Sequence, residues 1–315
     1  MLAVKVLQEQ QIDLVAVTFA TPFFGPSKGL AAGGKTGIKT RAVDISETHL
    51  EMLKSPRYGY GSQLNPCIDC HGLMLREAAK LMDIEGADFL FTGEVLGQRP
   101  MSQRRDSLRS VEKLSGLAGY ILRPLSAKLL PPTAVEQKGL VDRSMLLDIQ
   151  GRSRRRQKEL ALKYGLTEYP QPGGGCMLTS ESFSNRLRKL LGTYPSATVK
   201  DVEVIKWGRA FVFSGKTFCM VGRQESENEK LDSLAGIRDI VLQPIDYPGP
   251  TCLLLAPDGN RDIDLAAALL AAYSDAPDQS QVYVKWRAGE RGGGGETGTC
   301  RTEVKGKDSF KGMLI

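Results

Sequence analysis

Two cysteines and a histidine stand close together in the segment NPCIDCHGLM, residues 65–74. Cys67, Cys70 and His71 form a Cys-x-x-Cys-His string that could attach a c-type haem, cycle as a redox dithiol, hold a metal, or arise by chance. A haem would require export and a second axial ligand, and His49 is the only other histidine of the chain. A dithiol fits better, because a helix is expected to begin here and a helix N-terminus lowers a thiol pKa.

A third cysteine, Cys176, follows three glycines in PGGGCMLT. Glycines let a backbone approach closely and adopt positive φ, so this cysteine is presented for a metal or a reaction. With Cys67 and Cys70 it would supply three thiolates, which suit an iron–sulfur cluster with one open iron. His71 is expected to be incidental, since neighbouring residues at a helix start point apart. A metal, a persulfide and inert thiols all remain open.

The first part of the chain alternates apolar segments of helical and strand type. We expect a helix at 1–11, a strand at 12–19, a loop at 20–41, a strand and helix within 42–53, a helix at 72–87 and a strand at 88–95. Ser46 is the expected N-cap of the helix within 42–53. This order predicts an α/β domain with a doubly wound, mostly parallel sheet and ligand sites at the carboxyl ends of its strands.

Composition changes near residue 193, which predicts one domain at 1–192 and a smaller α+β domain at 193–315. Residues 202–223 resemble a hairpin of short strands. An acidic helix, two strands, an apolar helix and a further strand are expected at 224–236, 239–245, 251–256, 262–273 and 281–286. The glycine-rich, basic tail at 287–312 is expected to be mobile.

Charge and cysteine content narrow the class of protein. The net charge is +6, and arginines are concentrated at 103–109 and 151–163. Such clusters suit binding to RNA or another polyanion. No apolar run is long enough to span a bilayer, so no membrane association is expected. Six cysteines in 315 residues are too few for a secreted disulfide scaffold, which favours a reducing cytoplasm.

The chain resembles the PP-loop family of ATP-dependent tRNA thiolation enzymes. The resemblance is carried by four segments in this order: LVAVTF, NPCIDCH, TGE and PGGGC. The resemblance is strongest to bacterial thiouridylases that carry a C-terminal domain of the NFACT-R type, and it covers essentially the whole chain. It implies a Rossmann-like PP-loop domain followed by an NFACT-R-like domain. The implied activity is adenylation of a tRNA uridine carbonyl, followed by replacement of its oxygen with sulfur from sulfide or a persulfide carrier.

The resemblance also implies roles for individual residues. Related enzymes hold a 4Fe–4S cluster on three cysteines, which match Cys67, Cys70 and Cys176. Relatives without a cluster use only two of these cysteines. The first cysteine of the pair, which matches Cys67, and the distant one, which matches Cys176, act as nucleophile and persulfide carrier. ATP, with Mg²⁺, would be bound by Val17, Thr18 and Phe19 at the adenine and by Thr92, Gly93 and Glu94 at the phosphates. Glu94 departs from the histidine common in relatives. The expected tRNA-binding residues are Arg152, Arg154, Arg155, Arg156 and Lys158, and a homodimer is one assembly the chain could adopt.

One family motif is missing. The family is defined by a Ser-Gly-Gly-x-Asp-Ser loop after its first strand, and the 315 residues do not contain it. The segment AAGGKTG at 31–37 lacks the spacing of a Walker loop and is expected to be an ordinary loop. We therefore expect upstream codons to encode the missing strand and loop. The alternative is a protein that no longer uses ATP. A non-catalytic RNA-binding protein and a redox dithiol protein are the competing functions.

Overall fold

The computed structural model of the chain describes residues 1–169, 175–257, 259–290, 292 and 294–315. It shows a mixed α/β protein that divides into two compact units, Met1–Thr179 and Ser180–Ile315. The sequence placed the domain boundary after residue 192, whereas the structure groups the helix Glu181–Thr193 with the second unit.

The first unit contains helices and four short strands. Its helices are α1 (Leu2–Gln8), α2 (Ser27–Thr36), α3 (Ser46–Lys54), α4 (Cys67–Glu85), α5 (Arg105–Ser115), α6 (Ala134–Gln137) and α7 (Arg155–Lys163). Its strands are β1 (Val15–Ala20), β2 (Lys39–Asp44), β3 (Leu90–Phe91) and β4 (Ile121–Leu122). Val6 and Leu7 of α1 are buried in one core with Val95 and Leu122.

The strands of this unit form two separate parallel pairs instead of the single doubly wound sheet that the sequence predicted. β1 pairs with β2, and β3 pairs with β4. Among the residues that the structure describes, neither pair hydrogen-bonds to the other. Parallel pairing joined by helices is therefore present, and a continuous Rossmann-like sheet is not observed.

The expected loop at 20–41 is wrong, because this segment contains α2 and the start of β2. Two of its glycines face the sheet: a Cβ at Gly29 would overlap the Thr18 side chain, and one at Gly33 would overlap that of Thr40. The glycines thus allow α2 to lie directly on β1 and β2. Gly37 ends the helix in the left-handed conformation, with φ of 72°.

Two helix starts also differ from expectation. Ser46 is the first residue of α3 and not its N-cap, and the Asp44 carboxylate accepts the Ser46 N–H at 2.8 Å. α4 begins at Cys67, so the cysteine motif forms its first turn. The strand expected at 88–95 is only two residues long.

The second unit is built on a six-stranded antiparallel sheet. Its helices are α8 (Glu181–Thr193), α9 (Val199–Val204), α10 (Glu225–Leu234) and α11 (Asn260–Tyr273). Its strands are β5 (Arg209–Phe213), β6 (Thr217–Val221), β7 (Ile240–Pro244), β8 (Cys252–Leu255), β9 (Gln281–Ala288) and β10 (Thr297–Glu303), in the order β10-β9-β7-β8-β6-β5. α11 packs on one face of this sheet.

Part of the tail expected to be mobile instead forms regular structure: β10 pairs with β9, and Lys307–Met313 form a 3-10 helix. A side chain at Gly298 would overlap the Trp286 indole, so this glycine lets β10 pass beneath the ring. Phe310 of the 3-10 helix is buried in the core under α11. Glycine in this tail therefore serves packing as well as loop formation.

Candidate cysteine site

Cys67 and Cys70 lie in the first turn of α4, where the Cys70 N–H donates to the Pro66 carbonyl at 2.8 Å. The buried Asp69 between them fixes the chain that precedes the helix. Its carboxylate accepts the main-chain N–H groups of Arg57 and Tyr58 at 2.8 and 3.0 Å. The helix start that carries both cysteines is thereby held against the preceding loop.

Cys176 is presented by a short segment that returns to the end of β1. The Met177 N–H donates to the Phe23 carbonyl at 3.1 Å, and the Cys176 carbonyl accepts the N–H and hydroxyl of Thr179 at 3.1 and 2.7 Å. Gly175 has the positive φ, 69°, that the sequence predicted for this stretch. The preceding residues 170–174 lie outside the described part of the chain.

The three cysteines lie close enough in the fold for their charges to influence one another. Burial raises the pKa of Cys70, and the charges of Cys176, Cys67 and Asp69 raise it further. Burial and the charge of Cys67 also raise the pKa of Cys176, while a main-chain hydrogen bond and the positive charge of Arg99 oppose the rise. Cys70 and Cys176, whose pKa values are raised, cannot both ionise beside Cys67 unless a cation or a reaction partner compensates their charge.

A buried histidine completes this cluster, and the sequence analysis missed its role. His49 is fully buried on the inner face of α3, with its Nε2 atom 3.2 Å from Cys70 Sγ. The rings of Phe23 and Phe24 lie 5.3 and 5.8 Å from its ring. Burial lowers the pKa of His49 to about 4, so the imidazole is neutral at pH 7. Its Nδ1 atom has no hydrogen-bond partner among the described residues.

His71, expected to be incidental, belongs to a second buried group. Its Nδ1 atom lies 2.8 Å from Glu94 Oε1, and Glu94 Oε2 accepts from Thr92 Oγ1 and Arg123 Nε, each at 3.1 Å. Burial alone would raise the pKa of Glu94. Hydrogen bonds and the charges of His71 and Arg123 outweigh it and lower that pKa to about 2. Glu94 therefore fixes the imidazole that follows Cys70.

The residues predicted to bind ATP lie on two elements of the same unit. Val17, Thr18 and Phe19 lie in β1, where the Thr18 side chain packs against α2. Thr92 and Gly93 follow β3 directly. The Glu94 carboxylate and the Thr92 hydroxyl hydrogen-bond to each other, so an ATP contact at 92–94 stays a prediction that rests on the main chain.

The basic residues predicted to bind RNA lie at the start of α7. Arg155 pairs with Glu159 at 2.9 Å, and Arg156 pairs with Asp148 at 2.6 Å. Both pairs are solvent-exposed and therefore weak. Three further basic side chains have no ion-pair partner in the described part of the chain: Arg152, Arg154 and Lys158. Contact between these residues and RNA stays a prediction.

Within the described residues, no group of three or more His, Cys, Asp or Glu side chains has an arrangement that could hold a metal ion. The donor set nevertheless suits an iron–sulfur cluster, because three thiols, the ligands that such clusters use, lie near one another in this unit. In a cluster each cysteine binds a different iron, so the thiols need not converge on one point. The cluster stays a prediction.

Comparison with known proteins identifies part of the second unit. Residues 208–295 match the family model described as NFACT protein RNA binding domain. No curated protein matches the chain. Among solved structures, the C-terminal part of the fibronectin/fibrinogen-binding protein from Streptococcus suis aligns at 16% identity over 79% of this chain and 94% of that one, with a TM-score of 0.29. No helix of the described residues is long and apolar enough to cross a membrane.

The comparisons thus assign an RNA-binding domain to the second unit. This agrees with the NFACT-R-type domain that the sequence predicted for the C-terminal part. RNA is the partner class that follows from the match.

Proposed function

We propose that this protein is an enzyme that uses ATP to insert sulfur into a uridine of tRNA. The observation that carries the proposal is that Cys176 lies close enough to Cys67 and Cys70 for their charges to interact, although about a hundred residues of sequence separate them. The match of residues 208–295 to an RNA-binding domain supports an RNA substrate. The sequence resemblance to tRNA thiolation enzymes supplies the reaction.

The first step activates a poor electrophile. The uridine carbonyl oxygen attacks the α-phosphorus of ATP, pyrophosphate leaves with Mg²⁺, and the base carries AMP as its leaving group. Cationic side chains stabilise the developing negative charge. Lys28, whose Nζ atom lies against Gly175, and Arg99, whose positive charge acts on Cys176, are the cations that we assign to this role.

In the second step sulfur displaces AMP. The terminal sulfur of a persulfide on Cys176 attacks the activated carbon, and AMP departs. The Cys67 thiolate then attacks Cys176 Sγ, the bond to the transferred sulfur breaks, and a Cys67–Cys176 disulfide forms that a thiol reductant restores. A 4Fe–4S cluster held by Cys67, Cys70 and Cys176 would instead supply the sulfur as hydrosulfide on its open iron.

The surrounding residues of this chain have positioning roles in the proposal. Glu94 holds His71 Nδ1 and so fixes the orientation of the ring next to Cys70. His49 contacts Cys70 Sγ, and two phenylalanine rings pack against the His49 ring and hold it there. Asp69 keeps the helix start in place.

Mass spectrometry of tRNA nucleosides tests the reaction. A strain that lacks the gene should lose one thiolated uridine, and the wild-type gene should restore it. Cys176→Ala should fail to restore it, whereas Cys300→Ala, a half-buried cysteine of the second unit, should succeed. An unchanged nucleoside profile in the deletion strain would refute thiolation of tRNA.

Cys70 distinguishes the two sulfur sources. Cys70→Ala should abolish thiolation if a cluster is used, because the cluster would lose one of its three thiolates. The same variant should retain thiolation if only Cys67 and Cys176 carry the sulfur. Iron and sulfide analysis of anaerobically purified protein gives an independent answer.

An RNA-binding protein without catalysis is the second candidate, and the match to the RNA-binding domain favours it. Replacement of Cys67, Cys70 and Cys176 together separates the candidates. If the triple variant restores the cellular phenotype of the deletion strain and binds tRNA with the same salt dependence, the enzyme proposal fails. If it binds tRNA but does not restore thiolation, the enzyme proposal is supported.

A further inference from the structure

One face of the β9–β10 ribbon in the second unit is open to solvent. α11 covers the other face, where Val282, Val284 and Trp286 point. Because side chains alternate along a strand, Tyr283, Lys285 and Arg287 lie on the open face. Tyr283 is 45% exposed, so one part of its ring is accessible to a ligand.

The register of the ribbon places basic and hydroxyl side chains beside these residues. Tyr283 lies opposite Arg301, Lys285 opposite Thr299, and Arg287 opposite Thr297. The Arg301 guanidinium lies over the Tyr283 ring, 5.9 Å from its centre. The open face therefore offers a planar aromatic–guanidinium pair next to an exposed amine.

The face extends onto β7 as a concave surface. Gln243 is in register with Lys285, and a cavity of about 610 Å³, open to solvent, is lined by these two residues together with Arg287, Thr297 and Thr299. Amide, hydroxyl and ammonium groups thus surround a space large enough for a nucleobase.

Acidic groups near this face are mostly engaged. Asp232 pairs with Arg287, and the Asp246 carboxylate accepts the Tyr283 main-chain N–H at 2.9 Å. Glu303, at the far end of β10, lies opposite Gln281. Lys285 has no ion-pair partner among the described residues. The centre of the face is therefore positively charged, which suits a phosphate backbone.

We propose that this β9–β10 face binds an unpaired segment of RNA, with a base stacked on the Tyr283–Arg301 pair and phosphates contacted by Lys285 and Arg301. Unpaired bases stack on aromatic rings and guanidinium planes, whereas duplex RNA hides its base faces. The inference rests on the RNA partner of the proposed function and adds a location and an RNA type to it. β10 lies beyond the matched residues 208–295.

Fluorescence anisotropy of the full chain with a labelled single-stranded oligoribonucleotide tests the face. Tyr283→Ala should weaken binding roughly 5- to 150-fold, because one stacked base contributes about 1–3 kcal/mol. Tyr283→Phe should retain most of the affinity, since the ring is kept. Lys285→Gln and Arg301→Gln should each reduce the slope of log affinity against log salt by about 0.7. Lys216→Gln, in the exposed β5–β6 turn, is the matched control and should change the affinity little.

The outcomes separate this inference from the proposed function. In one outcome the wild-type chain binds tRNA and the oligoribonucleotide, and Tyr283→Ala binds them as tightly. This result would overturn the assignment of RNA binding to the β9–β10 face, while RNA binding by the protein would still hold. Equal affinity for a blunt RNA duplex and the single strand would overturn the preference for unpaired RNA. If the wild-type chain binds no RNA at all, the RNA partner of the proposed function fails with it.

Discussion

Glu94→Gln should destabilise the first unit at neutral pH. The change keeps the size of the side chain but removes the buried charge that His71 and Arg123 hold. The pKa of Glu94 falls from the ordinary 4.5 to about 2 on folding, which corresponds to about 3 kcal/mol of stabilisation. Removal of one partner from a buried ion pair elsewhere costs about 3–5 kcal/mol, a similar magnitude.

The sign of the pH dependence follows from the lowered pKa. A carboxylate whose pKa is depressed by folding stabilises the folded state above its unfolded pKa. That contribution is lost as the pH falls from about 4.5 to about 2. The stability gap between wild type and Glu94→Gln should therefore be largest at neutral pH and shrink through this acidic window.

The measurement must report on the first unit alone. Both tryptophans, Trp207 and Trp286, lie in the second unit, so their fluorescence follows that unit and serves as an internal control. Hydrogen exchange of peptides from 88–125, read by mass spectrometry, reports on the network around Glu94. Glu47→Gln, an exposed carboxylate of α3, is the matched variant and should change stability by less than about 0.5 kcal/mol.

Two results would refute the reasoning. One is a Glu94→Gln protein whose peptides in 88–125 exchange as slowly as those of the wild type at pH 7. The other is a loss of stability that stays constant down to about pH 2. Either would mean that the ion pair does not stabilise the fold.

Further predictions concern α2, the start of α4 and the thiols. In a urea titration followed by circular dichroism, Gly33→Ala should lower the free energy of unfolding by about 1–3 kcal/mol, because its Cβ meets a side chain of β2. Gly34→Ala, with open space around it, should raise the free energy of unfolding by as much as about 1 kcal/mol. Equal effects of the two changes would contradict the packing of α2 on the sheet. In the same titration, Asp69→Ala should lower the free energy of unfolding by about 1–3 kcal/mol, since two main-chain N–H groups lose their acceptor. An unchanged unfolding midpoint would argue against the role of Asp69 in holding the start of α4. Iodoacetamide near pH 8 should alkylate Cys67 before Cys70, whose pKa is raised by burial, and peptide mass spectrometry that finds the reverse order would contradict the site.

The second unit could be predicted closely from its sequence, and the first unit only in part. Apolar strands and helices between 202 and 286 carry clear periodicity, and the structure has an element at each predicted place except the start of the expected hairpin. The strands expected from 202 begin only at Arg209, because Val199–Val204 form the helix α9. In the first unit the glycines of 25–37 indicated a loop, because glycine weakens a helix on its own. Their function is set by the strands beneath the helix, and the sequence pattern of one segment does not contain that information.

The same difference between a local sequence pattern and contacts distant in sequence explains which residues of the candidate site could be predicted. The three cysteines could be found because thiols are rare, chemically distinctive residues whose spacing is informative by itself. The role of His49 and the ion-pair role of Glu94 could not be found, because each depends on a partner distant in sequence: Cys70 for His49, and Arg123 for Glu94. A single histidine on the apolar face of a helix is ordinary until the structure shows what lies against it. Spacing therefore identifies the thiols that we propose to react, while packing identifies the groups that surround them, such as His49 beside Cys70.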